Sequence, residues 1–250
     1  MSIIHSVKNH ILSVEISRQE KRNTLDAADL ETLTEVFSRA KTDDDVRVVF
    51  LHAQPGIFCA GGELSEQLKN PSAEPDTPTG RMIESLSGCT KPIIACVEGP
   101  AVGLAVTMLY YCDMVYAGSR ALFSLPFTAL GLTPRYGASL LTLLNAGYHK
   151  AAEKILLSEP ITATEALDMR LVSGVFPDDQ VRAQAQARAE RLAKMSPTAV
   201  QSAKALLREA WSLRLTALRD SEARTFTQTS ATREAKEACA AFLEGRMPSF

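Results

Sequence analysis

Two stretches of this chain could stabilise negative charge with backbone alone. Lys91 to Gly118 reads KPIIACVEGPAVGLAVTMLYYCDMVYAG. Its first apolar run, Pro92 to Val97, is short and closed by Glu98-Gly99, as expected of a buried strand. After the turn at Gly99-Pro100, Ala101 to Tyr111 is apolar on every side and predicts a buried helix. Cys112-Asp113 closes it, and Met114 to Ala117 predicts another buried strand. A strand feeding a turn into a helix aims backbone N–H groups at whatever lies over the helix start, which suits a developing oxyanion. By spacing alone the simpler alternative is an ordinary β-α-β unit with nothing bound there. The second stretch follows a strand over Val46 to Ala53. There Gln54-Pro55-Gly56 leads to Phe58-Cys59-Ala60-Gly61-Gly62-Glu63-Leu64, where adjacent glycines mark a tight turn or a close approach of backbone.

Other chemistry finds little support. The 5 cysteines are odd in number, mostly in apolar runs and without C-x-x-C spacing. Reduced thiols are expected rather than a disulfide frame or a zinc site. The 4 histidines are scattered without ligand spacing, so no metal is expected. A net charge of −2 offers nothing to nucleic acid or an anionic membrane.

The two stretches together resemble the crotonase family, the enoyl-CoA hydratases and isomerases. The family pattern F-x-A-G-x-D-L stands as Phe58 to Leu64, with Glu63 for the usual aspartate. K-P-x-I-A-x-V-x-G-x-A-x-G stands as Lys91 to Gly103, and C-D-x-x-x-A as Cys112 to Ala117. Residues 150–174 match a further family segment, with Arg170 where glycine is usual. Phe242 to Phe250 matches the F-x-x-x-R-x-P-x-F tail. The resemblance implies an α/β fold, a crotonase-like ββα spiral core with a C-terminal α-helical region. It divides the chain into a core over 1–194 that binds acyl-CoA and helices over 195–250 that build a homotrimer or a dimer of trimers.

It also implies a site. The oxyanion donors become the N–H groups of Gly62 and Leu104, polarising a thioester carbonyl and holding the enolate. The segment Arg22-Asn23-Thr24-Leu25 corresponds to the one that meets the adenine of coenzyme A, with Lys21 or Arg22 approaching phosphate. Ala60, Gly61, Gly62 and Leu64 border the thioester. Coenzyme A enters only as part of the substrate.

The acid and base groups depart from the family. The two hydratase glutamates fall on Thr107 and Phe127, and the glutamate of many isomerases falls on Arg135. None is acidic, and a positioned acid or base is worth roughly 10²–10⁴ in rate. An isomerase or related lyase would need its base from Glu63, Glu84 or Tyr136, although Glu63 could instead turn outward to cap the next helix. A decarboxylase-like enzyme would need none, since loss of CO₂ makes the enolate. Arg135 could then hold a substrate carboxylate, its plain alternative being an exposed loop arginine. A non-catalytic acyl-CoA binding protein is the third reading.

The elements that must position these residues are legible in outline. At 250 residues, 46% hydrophobic and 22% charged, the chain has the composition of a globular protein. Residues 1–17 predict two strands meeting at Lys8-Asn9-His10 rather than a targeting segment. The longest apolar run is far short of the ~20 residues that span a bilayer, so a cytoplasmic protein is expected. Asp26 caps a helix with Leu30, Leu33, Val36 and Phe37 on one side. Residues 65–80, with Pro71, Pro75 and Pro78, predict a mobile loop, and 81–87 a short helix. Helices are predicted over 138–145, on both sides of Pro160 (the second with a Thr162/Glu165 capping box), and over 181–194, 198–215 and 217–243.

Overall fold

The computed structural model describes residues 2–63 and 76–250. Strands β1 (Ile3–Lys8) and β2 (Ile11–Ile16) form a hairpin, paired from Ile3 with Ile16 to Lys8 with Ile11. Asn9 and His10 turn it with φ of 51° and 64°, the left-handed pair that a two-residue hairpin needs. Helix α1 (Ala27–Thr42) starts at Asp26, whose carboxylate accepts from the Asp29 N–H while Asp29 returns the bond. Strand β3 (Val48–Ala53) follows, buried throughout.

Helix α2 (Pro78–Ser87) is capped by Thr77, with proline at its first position. It therefore begins three residues before the expected start, since proline loses no helical bond there. Then come β4 (Ile93–Val97), β5 (Ala101–Val102), α3 (Leu104–Tyr110), β6 (Met114–Gly118) and β7 (Leu122–Ser124). The expected helix from Ala101 is thus corrected. Gly103 has φ 56° and ψ −111°, a conformation that breaks the run and leaves 101–102 as strand. Beyond lie α4 (Ala138–Ala146), α5 (Tyr148–Leu156), β8 (Ile161–Thr162), α6 (Ala163–Asp168) with its Thr162/Glu165 capping box, β9 (Gly174–Phe176) and α7 (Val181–Ala193).

Six strands form one sheet in the order β1-β2-β3-β4-β6-β9, parallel except for β1. Alternate residues of β3 and β4 serve opposite faces, as the pleat requires. Val49, Leu51, Ile93 and Ala95 join the main core with α1, α2 and α3. Val48, Phe50, Ile94 and Cys96 meet Ala185, Ala189 and Ala193 of α7. A second sheet, β5-β7-β8, was not anticipated, since two of its strands have only two residues.

The last correction concerns the C-terminal helices. Helix α8 runs unbroken over Pro197–Ser230 and α9 over Arg233–Glu244. Leu215-Thr216-Ala217 contains no glycine, proline or cap, whereas the Thr232 side chain accepts from Ala235 N–H and starts a new helix. Helix α8 is tied to the core early in its length. Lys204 Nζ donates to Lys91 O and Asp113 Oδ2, both at 2.6 Å, and Arg208 Nη2 donates to Tyr111 O at 2.7 Å. Burial lowers the Lys204 pKa and Asp113 opposes the shift.

Candidate active site

Three short segments lie side by side at the end of β3. Leu25 N–H donates to Gly61 O (2.8 Å), Glu63 N–H to Leu25 O (3.0 Å) and Ala60 N–H to Arg22 O (3.1 Å). On the other side Cys59 N–H donates to Pro100 O (3.1 Å) and Val102 N–H to Cys59 O (3.0 Å). The middle segment can approach so closely only because residue 61 is glycine. Gly61 has φ +96°, and a Cβ there would lie 2.8 Å from Val102 O and 3.6 Å from Leu104 N. Gly103 N–H is engaged by Ser124 O at 2.8 Å. Gly62 N–H and Leu104 N–H, by contrast, have no acceptor among the described residues. Two open donors thus flank the Gly61–Leu104 approach.

The side chains around them are mostly committed elsewhere. Asn23 is fully buried, donates to Ile57 O (2.9 Å) and Phe58 O (3.3 Å), and accepts from Arg18 N–H (2.7 Å). Its side chain staples the 22–25 segment, while Lys21 and Arg22 are exposed. Leu25 is buried and Ala60 half-buried, while Leu64 lies outside the described residues. Cys59 is no nucleophile, because burial pushes its thiol up to about 12.

The acid/base candidates fare differently. Thr107 is buried with its hydroxyl donating to Gly103 O at 3.3 Å, and Phe127 packs against the main core. Glu63 is half-buried and adds to the field that raises Arg18. Glu84 is corrected: its side chain is 65% exposed and paired with Arg219 of α8 at 3.0 Å, because it falls on the outer face of α2. Tyr136 is buried with φ 60°, and its phenol lies 3.3 Å from Thr77 Oγ1. Arg135 is not an exposed loop arginine. It is 7% exposed, its guanidinium 4.1 Å from the ring centres of both Tyr136 and Phe226.

A serine–histidine contact elsewhere has the wrong polarity for catalysis. Ser13 Oγ lies 2.8 Å from His52 Nε2, but Arg182 Nη1 lies 3.1 Å from Nδ1. A guanidinium only donates, so Nδ1 accepts and the neutral ring donates from Nε2 to Ser13. Burial, reinforced by the Arg182 charge, takes His52 down to about 4. Among the described residues no group of three His, Cys, Asp or Glu is placed to hold a metal, and no helix is long and apolar enough to cross a membrane.

Comparison with known proteins decides the family. The family model for enoyl-CoA hydratase/isomerase matches residues 6–250. This chain is a member of the enoyl-CoA hydratase/isomerase family. The crotonase-like fold follows at full length. An enoyl-CoA hydratase/isomerase from Pseudoalteromonas atlantica T6c superposes with a TM-score of 0.94 at 36% identity, covering 100% of both chains. The 2,3-dehydroadipyl-CoA hydratase of Escherichia coli is 33% identical over 99% of this chain and 98% of its own length. Enoyl-CoA delta isomerase 2 of the rat is 30% identical over 89% of this chain and 58% of that protein. Hydratases and isomerases both stand among the relatives, so this enoyl-CoA hydratase/isomerase-family chain is placed in an enzyme family without its reaction being chosen.

The residues that reading the chain alone had missed are Tyr111 and Glu222. Tyr111 donates its phenol proton to Tyr136 O at 2.6 Å. Glu222 belongs to the buried stripe of α8, with Leu215, Phe226 and Ser230. A glutamate in such a stripe was the available signal.

Proposed function

We propose that this chain binds an acyl-CoA with its thioester carbonyl between the N–H groups of Gly62 and Leu104, stabilises the enolate, and works as an isomerase rather than a hydratase. The observation that supports this is the pair of open N–H groups at Gly62 and Leu104; by the family resemblance the hydratase carboxylates fall on Thr107 and Phe127, neither of them acidic. An enolate needs the donors; water addition needs the missing carboxylates as well. The base is assigned to Tyr136 or Glu63. Coenzyme A lies along 21–25, with Ala60, Gly61, Gly62 and Leu64 beside the thioester. The assembly is a homotrimer or dimer of trimers, in which Leu206, Leu207, Leu213, Phe242 and Phe250, all exposed in one chain, become covered; sedimentation at micromolar concentration as a monomer would refute that part.

A carboxylated acyl chain is the second reading, favoured by Arg135 being buried between two rings. The dehydroadipyl group in the name of the E. coli relative ends in a carboxylate. Decarboxylation would use the same two donors only where the carboxylate that is lost stands on the α-carbon, because only then does its electron pair become the thioester enolate.

The test is a panel of saturated, 2-enoyl, 3-enoyl and carboxylated acyl-CoAs in heavy water, followed by mass. Deuterium at the α-carbon or a moved double bond is the expected result. Loss of CO₂ would select the second reading. Binding of every compound with no product from any would leave only an acyl-CoA binding protein.

A further inference from the structure

The six-stranded sheet parts at the end where the two donor segments leave it. Strands β3 and β4 are paired from Val49 with Ile93 only as far as Leu51 with Ala95. Each is held further along by its other neighbour, β3 by β2 as far as Ala53 and β4 by β6 as far as Val97. Beyond this split β3 leads to Gly62 and β4 to Leu104. The two segments then meet again. Gly56 N–H donates to Glu98 O at 3.2 Å and Phe58 N–H to Pro100 O at 3.0 Å. They crowd one another beside the split, where a Cβ on Gly99 would stand 2.4 Å from Gly56 O.

One side chain spans the split. Val48 and Phe50 of β3, with Ile94 and Cys96 of β4, pack toward α7, so by the pleat His52 and Glu98 face the same way. Arg182, in the first turn of α7, meets both. Its Nη2 donates to Ala53 O at 2.6 Å, its Nε to Glu98 Oε2 at 2.9 Å and its Nη1 to Nδ1 of the neutral His52 at 3.1 Å. Nη2 reaches Glu98 Oε2 as well. A cation in the first turn opposes the helix dipole, so the stability of α7 does not account for it. The helix gives the guanidinium a fixed base, because Ala185, Ala189 and Ala193 pack on the sheet and Arg47 Nη1 donates to Ala193 O at 3.0 Å. A rigid planar fork suits acceptors in three fixed places, which a lysine ammonium does not match.

We infer that Arg182 is a positioning residue for the oxyanion donors, joining the ends of β3 and β4 and so setting the separation of the segments that carry Gly62 and Leu104. The inference rests on an enolate being held by those two N–H groups. Such donors bind the enolate more strongly than the neutral carbonyl, and a misplacement of about 1 Å can cost 10²-fold. Loss of Arg182 therefore weakens the enolate and spares the ground state.

Acetoacetyl-CoA tests this without turnover, because its enolate absorbs in the near ultraviolet and its keto form does not. Near neutral pH the wild type should carry a larger enolate fraction on the bound ligand than exists on the free one. Arg182→Ala should cut that enrichment about tenfold, part of the roughly 10²–10³ that an absent donor costs. Its affinity for butyryl-CoA, which forms no enolate in solution, should stay unchanged by calorimetry. Arg182→Lys keeps the charge without the fork and should recover little. Glu98→Gln keeps one acceptor oxygen and should lie between, and it carries the test if Arg182→Ala does not fold. Arg188→Ala is the control on the same helix, its guanidinium lying 4.8 Å and 5.1 Å from the ring centres of Tyr116 in β6 and Phe176 in β9. It should lower the Tm and keep the enrichment. Unchanged enrichment in Arg182→Ala or, where that variant does not fold, in Glu98→Gln, an equal loss of butyryl-CoA affinity, full recovery by lysine, or the same loss in Arg188→Ala would overturn the inference and leave the donors standing. A wild type that enriches no enolate would remove the donors' role, and this inference with it.

Discussion

Crotonyl-CoA should gain water on this protein at least about a hundredfold more slowly than on a hydratase that carries both carboxylates. Each positioned acid or base contributes roughly 10²–10⁴, so losing even one already accounts for a hundredfold deficit. Thr107 offers no substitute. Its hydroxyl proton is directed to Gly103 O at 3.3 Å, and an aliphatic hydroxyl cannot accept a proton from water near neutrality. Phe127 presents only carbon. Restoring both groups by Thr107→Glu with Phe127→Glu should raise the rate if the donors are already placed. That gain is limited, since residue 107 is 1% exposed and burial would raise the new carboxyl's pKa and cost stability. The wild-type rate, followed by loss of the enoyl absorbance, is the decisive measurement. A turnover within tenfold of an ordinary hydratase would mean either that the family carboxylates do not fall on residues 107 and 127 or that another residue has taken over the proton transfers, and single replacements of Glu63 and Tyr136 would distinguish the two.

The second large effect is expected at Gly61. Gly61→Ala meets two obstacles together, a backbone at φ +96° and a Cβ placed 2.8 Å from Val102 O. That carbonyl cannot give way easily, because Val102 pairs with Ser124 in the small sheet. The segment bearing Gly62 must therefore move away from the one bearing Leu104. Exchange of the α-proton for deuterium should fall by about 10²–10³, the usual cost of losing one oxyanion donor. Gly56→Ala is the control. It has the same kind of backbone at φ +106° but nothing within 4 Å of the added carbon, so it should lose stability and keep its exchange rate. A folded Gly61→Ala protein exchanging within threefold of wild type would refute the role given to the Gly62 and Leu104 donors.

What could be read from the chain alone follows a physical division. Strands β3, β4 and β6 announced themselves because both faces of a covered parallel sheet must be apolar, leaving short runs bounded by turns. The start of α3 was misread for the same reason: Ala101 to Tyr111 is apolar throughout, and only the backbone of Gly103 separates strand from helix. The glycines at 61 and 62 signalled a close approach without saying to what, since Val102 and Leu104 come some forty residues later in the chain. Glu84 looked eligible by type, but it lies on the outer face of α2, paired with Arg219 from 135 positions later in the chain. The break expected near residue 216 has no counterpart, because no glycine, proline or cap interrupts the helix over Pro197–Ser230. Arg135 and Glu222 were hidden for a deeper reason. A charged residue in a sequence gives no sign that rings or amides 85 or 91 positions away will receive it.

The long reach of α8 also bears on the order in which the protein can be made. Lys204 bonds to a carbonyl 113 residues earlier, Arg208 to one 121 residues earlier, and Glu222 to an amide 85 residues earlier. Contacts of such separation form slowly, because long loops must close before any bond rewards them. The hairpin and the first parallel strands can assemble while the chain is still emerging from the ribosome. The turn at 135–139 cannot be locked until residue 226 has been synthesised and has cleared the exit tunnel. A nascent chain halted before α8 would hold the Gly61–Leu104 approach and still lack the carboxylate and the ring that hold Arg135 and Tyr136. The turn that holds Arg135 and Tyr136 is therefore completed only after α8 has been made.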